Sequence, residues 1–387
     1  MDTNISKELI ESIAKQINSF PSDFTIHPKL GKVYAKREQM GLGELPIDWG
    51  MAEILAYGSL IAEGHPVRLT GQDSRRGTFS HRNAYLYDHE NGKVYSPLRN
   101  LNESKAFFEV YDSVLSEAAA VGFEYGYTRD YPEALVMWEA QFGDFVNGAQ
   151  IIIDQFITAG EDKWNLLSGL VMLLPHGFEG AGPEHSSARL ERFLQSAAED
   201  NIQVCYPSSA GQYFHMLRRQ VKRKWRKPLI VMTPKSLLRA KVASSPIEKF
   251  TNDKFRNIIS HQDQSDQITK LLLCSGKITH ELVNERNKRE DNTVGVISIE
   301  QLYPFPEKEL VSELKKYVDA KTIMWVQEEP ANMGALQYIR PNLERIKGNR
   351  RVTSVRRSES ASPATGSSKA HALEQQAIIK SAFIKYS

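Results

Sequence analysis

The sequence predicts an α/β protein built around a mostly parallel sheet. Three observations carry this. Short continuous apolar runs, GLVMLLPHG and PLIVMTP, each end at a turn, as strands buried on both faces do. Stretches with helical apolar spacing, such as SARLERFLQSAAEDN and QYFHMLRRQVKRK, lie between such runs. The strand-then-helix rhythm resumes in KLLLCSGKITHELVNERNK, TVGVISIEQLYPFPEKELVSELKKY and KTIMWVQEE.

Three segments follow along the chain. Residues 1–45 read as a helix, a Pro-bearing connector (FPSDFTIHPKL) and a Gly-containing linker (MGLGELP). Residues 46–242 form the main body. Its first helix, DWGMAEILAYGSLIAEG, carries Met51, Ile54, Leu55, Leu60 and Ile61 at helical spacing and closes at Gly64. VRLTGQD then reads as a strand, SEAAAVGFEYGYTRD as a helix, ALVMWEAQF as a strand and GAQIIIDQFITAG as a helix; IQVCYPSS is a further strand. Residues 243–387 form a second, smaller α/β domain after a polar connector from Ser244 to Gln267, and end in a helix from about Ala370 to Phe383.

Composition narrows the function classes. The 387 residues exceed one compact domain and suggest two or three. Lys plus Arg number 49 against 47 Asp plus Glu, and this balance speaks against a nucleic-acid partner. Two cysteines, Cys205 and Cys274, build no disulfide framework, which points to a reducing compartment. The polar start, MDTNISKELIESIAK, predicts no secretory signal. The run Leu170–Leu174 falls far short of the ~20 apolar residues of a membrane span, so no membrane is expected either.

The charges are unevenly spread. Glu103 to Asp162 holds twelve acidic residues and two basic ones; Met216 to Ser245 holds ten basic residues and no acidic one. Such runs read as solvated faces. The alternative for Arg218, Arg219 and Lys222 is a site for an anionic effector or a partner surface.

Chemistry is expected where strands of an α/β sheet end. Four clusters fit. TGQDSRRGTFSHR offers Gln72, Asp73, Arg76 and His81. LSEAAAVGF holds Glu117, which reads either as a helix N-terminal acid stabilised by the dipole or as a proton donor to a bound ring nitrogen. WEAQFGDF holds Phe142 and Phe145, core residues or ring-stacking ones. PHGFEGAGPEHSSAR holds His176, Glu179, Glu184, His185 and Ser186, surface histidines or acid/base groups. The H-x8-H spacing is no zinc signature, and no metal ligand set is assigned.

Taken together, TGQDSRRGTFSHR, WEAQFGDFVNGAQIIIDQFI, LLPHGFEGAGPEHSSARLERFLQ, RKPLIVMTPKSLLR, IEQLYPFP, QEEPANMGALQYIRP and SPATGSSKAH resemble the thiamine-dependent first component of the 2-oxoglutarate dehydrogenase complex, in the family's order and over essentially the whole chain. The resemblance implies a transketolase-like pyrimidine-binding domain at 46–242 and an α/β C-terminal domain at 243–387. It implies that Glu117 hydrogen-bonds the aminopyrimidine of thiamine diphosphate, within an apolar wall that includes Phe123. Phe142 and Phe145 would line the pyrimidine pocket, with Phe142 the better candidate for stacking. His185 would face the substrate end, His176 would help hold substrate, and Gln72 and Asp73 would lie near the same cleft. It offers the basic helix two roles, binding an anionic effector such as an acyl-CoA or contacting the acyltransferase core.

One departure from the family is large. The 387 residues contain no GDG motif; the sole Gly-Asp pair is Gly143-Asp144. The chain therefore resembles only the C-terminal half of the family's enzymes, as a truncated, split or partial product. The diphosphate and its Mg²⁺ are expected on a missing N-terminal half. Implied partners are that half, a second copy in a homodimer, the lipoyl acyltransferase component and the flavin dehydrogenase component. The competing readings are a 2-oxoadipate dehydrogenase component and a catalytically inactive fragment with only a binding role.

Overall fold

The computed structural model describes residues 1–101, 105–180, 182–262 and 267–384. The expected polar connector falls partly outside this set, at 263–266.

The strands in chain order are β1 (Val67–Gly71), a small hairpin β2 (Leu86–Tyr87) and β3 (Val94–Tyr95), β4 (Phe108–Asp112), β5 (Leu135–Glu139), β6 (Val171–Pro175), β7 (Gln203–Cys205), β8 (Leu229–Thr233), β9 (Ile258–Ser260), β10 (Lys270–Cys274), β11 (Val294–Ile299), β12 (Gln301–Tyr303), β13 (Thr322–Pro330) and β14 (Arg351–Arg357). A seven-stranded sheet has the order β12-β7-β8-β6-β5-β1-β4, and a five-stranded sheet the order β14-β13-β10-β11-β9. Within the first, only β12 runs antiparallel, against β7. Within the second, only β9 does, against β11.

The period of two along each strand sorts the core onto two faces of the large sheet. Leu69, Met137, Leu173 and Val231 join one apolar cluster, while Val136, Trp138, Met172 and Ile230 join the other. The first cluster is covered by three helices from the N-terminal segment onward: α1 (Lys7–Ile17), α2 (Pro28–Gly41) and α3 (Trp49–Ala62), together with the helix Ala210–Lys222. The 28–41 stretch, expected as part of a connector and linker, is thus helical, with Pro28 in the first turn where its missing N–H costs nothing. Ile10, Ile13 and Ile17 of α1 are buried against the main body rather than forming a loose arm.

The second cluster crosses the domain boundary. It holds Met172 and Ile230 of the large sheet beside Leu271, Leu273, Ile297 and Trp325 of the small one. The opposite face of the small sheet packs Leu272, Val296 and Met324 against Ile278 and Leu282 of the helix Ile278–Arg289, and against Ile378 of the helix Ser368–Ala382. With β12 completing the large sheet, the C-terminal segment is fused to the main body through a shared core.

Two expected helices are shorter or less regular. The stretch after Phe142 runs as a 3-10 turn (Gly143–Ala149), three α-helical residues (Gln150–Ile152) and a π turn (Ile153–Ile157). SARLERFLQSAAEDN forms an α-helix only at Leu190–Gln195.

Candidate functional site

Parallel strands β1, β5 and β6 end at a common level: Gly71 pairs with Glu139, and Glu139 with Leu173. Their outgoing loops, and the loop from β4 into α4 (Glu117–Asp130), meet on one rim.

Glu117 opens α4, where Ser116 caps the helix by accepting from the Ala119 N–H. Gln72, directly after β1, donates its Nε2–H to Glu117 Oε1 at 3.2 Å. Opposite stands Gly148, where an added Cβ would lie 2.8 Å from Glu117 Oε2. Glycine there lets the carboxylate pack this closely against the backbone. The apolar wall expected around Glu117 is only partly present. Ala120 and Val121 are buried, but Phe123 is 61% exposed on the far side, its ring beside the Arg68 guanidinium. A helix turns its side chains by about 100° per residue, which separates position 123 from position 117.

Phe142 follows β5, and its ring stacks on His185 with centroids 4.1 Å apart and planes 22° from parallel. His185 therefore covers a Phe142 face that was expected for a bound ring. Phe79 and Phe145 meet Phe142 at 85° each. The contact depends on Gly143: a Cβ there would meet Ala188 Cβ at 2.4 Å and Pro175 O at 2.6 Å. Asp144, the acid of the lone Gly-Asp pair, is buried and bonded to Arg189 at 2.6 Å.

His176 departs from the expected role. It is 2% exposed, and both ring nitrogens are engaged within the protein. Nδ1 accepts from the Ala188 N–H at 2.9 Å, so Nε2 carries the proton shared with Glu329 Oε1 at 2.8 Å. The edges of Phe178 and Tyr206 close the ring's surroundings. His176 is thus a strut between the domains rather than a group presented to a ligand. Glu329 was not singled out in the sequence; burial alone would raise its carboxyl, and the His176 hydrogen bond brings it below the ordinary value.

Asp73 lies at the exposed edge of this rim: it has φ +57°, accepts from Gln141 Nε2 of the loop after β5 at 3.4 Å, and pairs with Arg76 at 3.6 Å. His81 is buried beside a network in which Arg82 binds Glu139 at 2.7 Å and Glu53 at 2.6 Å. Glu179 accepts from the Ser236 hydroxyl at 2.6 Å, and Ser186 donates to Gly182 O.

The basic stretch is solvated only in part: Lys222 and Lys224 are exposed, but Arg218 is not. Arg218 is 0% exposed and donates to Thr3 O, Ser59 Oγ and Glu63 Oε1 at 2.8, 2.7 and 2.6 Å. Arg219 donates to Gln301 Oε1 at 2.9 Å and lies 3.9 Å over the Phe255 ring; Lys222 pairs with Glu63 at 3.2 Å. These cations tie the N-terminal segment, α3 and β12 together. The effector reading of Arg218 is therefore set aside, because its guanidinium is spent on internal partners.

Among the described residues no group of three or more His, Cys, Asp or Glu is placed to hold a metal ion, and no helix is long and apolar enough to cross a membrane.

Residues 46–241 match the family described as transketolase, pyrimidine binding domain, and residues 244–383 match 2-oxoglutarate dehydrogenase C-terminal. Similar proteins are the 2-oxoglutarate dehydrogenase E1 components of Cupriavidus necator (49% identical), Coxiella burnetii (48%) and Azotobacter vinelandii (47%). Each alignment covers 99% of this chain and 41% of the relative. The chain thus spans about two fifths of the length of the curated relatives it matches. On these matches, and on the rim its parallel strands build, the chain belongs to the family of the transketolase pyrimidine-binding domain, continued here by a 2-oxoglutarate dehydrogenase C-terminal domain.

Proposed function

We propose that this chain supplies the pyrimidine-binding and C-terminal parts of a thiamine-diphosphate-dependent 2-oxoglutarate dehydrogenase. The observation that carries the reading is the Glu117 site. A half-buried carboxylate at a strand-end rim packs its Oε2 over Gly148, where no side chain intervenes, while Gln72 steadies Oε1. This donor set fits the edge of an aminopyrimidine, which needs one carboxylate as hydrogen-bond partner.

When bound, thiamine diphosphate supplies the carbanion chemistry that decarboxylates a 2-oxo acid. Glu117 would hold the pyrimidine nitrogen and bias its proton. Phe145 and the Phe142–His185 stack would fix the ring's plane and keep water from it. His185, half-buried at the rim, would present its imidazole to substrate oxygens. Mg²⁺ and the diphosphate are assigned to a companion part within the relatives' remaining length. The succinyl group would pass to a lipoyl carrier.

A homodimer is part of the proposal. Leu115 (86% exposed), two residues before Glu117, and Ile151 (67%), three residues after Gly148, are apolar side chains open to solvent near the site, as a face awaiting a second copy would present.

Calorimetry tests the division of labour. The chain alone is expected to bind thiamine diphosphate with Mg²⁺ weakly, and a mixture with a companion diphosphate-binding part tightly. Equal affinity in the two samples would contradict it.

A further inference from the structure

Lys235 lies two residues past the end of β8, on the same rim. Its Nζ donates to Gly177 O at 2.7 Å and to His185 O at 2.6 Å. One ammonium thus ties both limbs of the segment between His176 and Ala188. The neighbouring residue repeats the contact: Ser236 donates its N–H and its hydroxyl to Glu179 Oε1 at 3.2 and 2.6 Å. At the segment's base, the Gly177 N–H donates to Ser186 O, and the Ala188 N–H to His176 Nδ1.

We infer that Lys235 is the positioning residue that sets the reach of His185: by gripping the His185 and Gly177 carbonyls it keeps the His185 ring stacked on Phe142. Charge-assisted bonds to two carbonyls are stronger than neutral ones, and a partly buried site keeps them from being exchanged for water. The ammonium is half-buried. Burial lowers its proton affinity, and the Glu179 and Glu328 carboxylates oppose that. No group other than Lys235 reaches both carbonyls among the hydrogen bonds described. The role matters for function only if His185 faces substrate, and so rests on the reading above. The clamp itself is a property of this chain and is measured without turnover.

The experiment is carbethoxylation of the full chain by diethyl pyrocarbonate, followed histidine by histidine by peptide mass mapping. Exposed His89 serves as the reference for free reactivity, and buried His176 reports global opening. In Lys235→Met, His185 is expected to react at least about tenfold faster relative to His89, the order of change that follows loss of even one of its two charge-assisted bonds. His176 stays protected. Lys235→Arg, which keeps the charge and the donors, should restore most of the slow rate. A change at exposed Lys224, Lys224→Met, should leave His185 as it was. An unchanged His185 rate in Lys235→Met overturns the inference.

Should Lys235→Met open His176 as well, the wild-type chain decides by acetylation. Lys235 acetylated about tenfold more slowly than Lys224 supports the clamp; equal rates overturn it. Failure of the clamp appears in His185 protection. Failure of the thiamine reading appears in decarboxylation, so the two are told apart.

Discussion

His176 of the large-sheet domain and Glu329 of β13 share a hydrogen bond of 2.8 Å across the domain junction, and both are buried. Because Ala188 donates to the other ring nitrogen, the histidine can serve Glu329 only as a donor. Glu329→Ala leaves that N–H unpaired in the interior. It should cost about 1–3 kcal/mol in urea unfolding. Glu329→Gln, whose amide oxygen still accepts, should cost clearly less. Equal losses would show that the hydrogen bond contributes nothing specific.

The deepest charge network predicts a larger effect. Arg82 is 0% exposed and binds two buried carboxylates, Glu53 and Glu139, while Tyr213 donates to Glu53 at 2.8 Å. Arg82→Met strands both acids without a cation. A loss of about 3–5 kcal/mol is expected by chemical denaturation. A loss below about 1 kcal/mol would mean that the carboxylates are relieved by water or protons.

Two histidines, His81 buried and His261 partly buried, set a pH dependence. Burial, then the Arg82 charge, pushes His81 down to about 4; burial, then the charges of His280 and Arg286, pushes His261 down to about 4. Unfolding restores an ordinary histidine near 6.5, so between these values the unfolded chain binds more protons. Stability should be full above pH 6.5 and fall as pH drops toward 4, by roughly 1 kcal/mol per pH unit for each histidine. Replacing His81 by Gln should flatten this slope in melts taken at successive pH values. An unchanged slope would assign the acid sensitivity to other groups.

Gly148 predicts a separation of stability from ligand binding. Its Cβ would meet the movable end of Glu117 rather than backbone, so Gly148→Ala should leave the melting temperature nearly unchanged. In a reconstituted enzyme it should weaken thiamine diphosphate binding about tenfold, because it displaces the carboxylate proposed to face the ring. Unaltered affinity would place the pyrimidine elsewhere.

The apolar face near Glu117 predicts self-association. Leu115→Lys with Ile151→Lys should shift sedimentation toward monomer while leaving the circular dichroism spectrum unaltered. Both side chains are exposed, so the fold does not need them.

Legibility in the sequence followed burial. β6 and β8 were readable because both faces are covered and their runs are wholly apolar, VMLLP and LIVMT. β14 was not: RVTSVRR lies at a sheet edge, largely open to solvent, and its arginines mask the period. α2 was hidden by Pro28 at its start and by weak apolar patterning. The basic run misled because hydropathy does not distinguish a solvated arginine from one buried among acceptors, as Arg218 is. At the site, Glu117, Phe142 and His185 were found as strand-end residues. Glu329 and Lys235 act through contacts 153 and 50 residues distant in sequence, which no local spacing encodes. Two adjacent acids closing an apolar strand, in TIMWVQEEP, were the available signal for Glu329.

The most direct test mixes this chain with a companion diphosphate-binding part, thiamine diphosphate and Mg²⁺, and follows carbon dioxide release from 2-oxoglutarate and 2-oxoadipate. The account predicts release from 2-oxoglutarate in preference to 2-oxoadipate, reduced about a hundredfold or more by Glu117→Ala. Full activity in Glu117→Ala would contradict it.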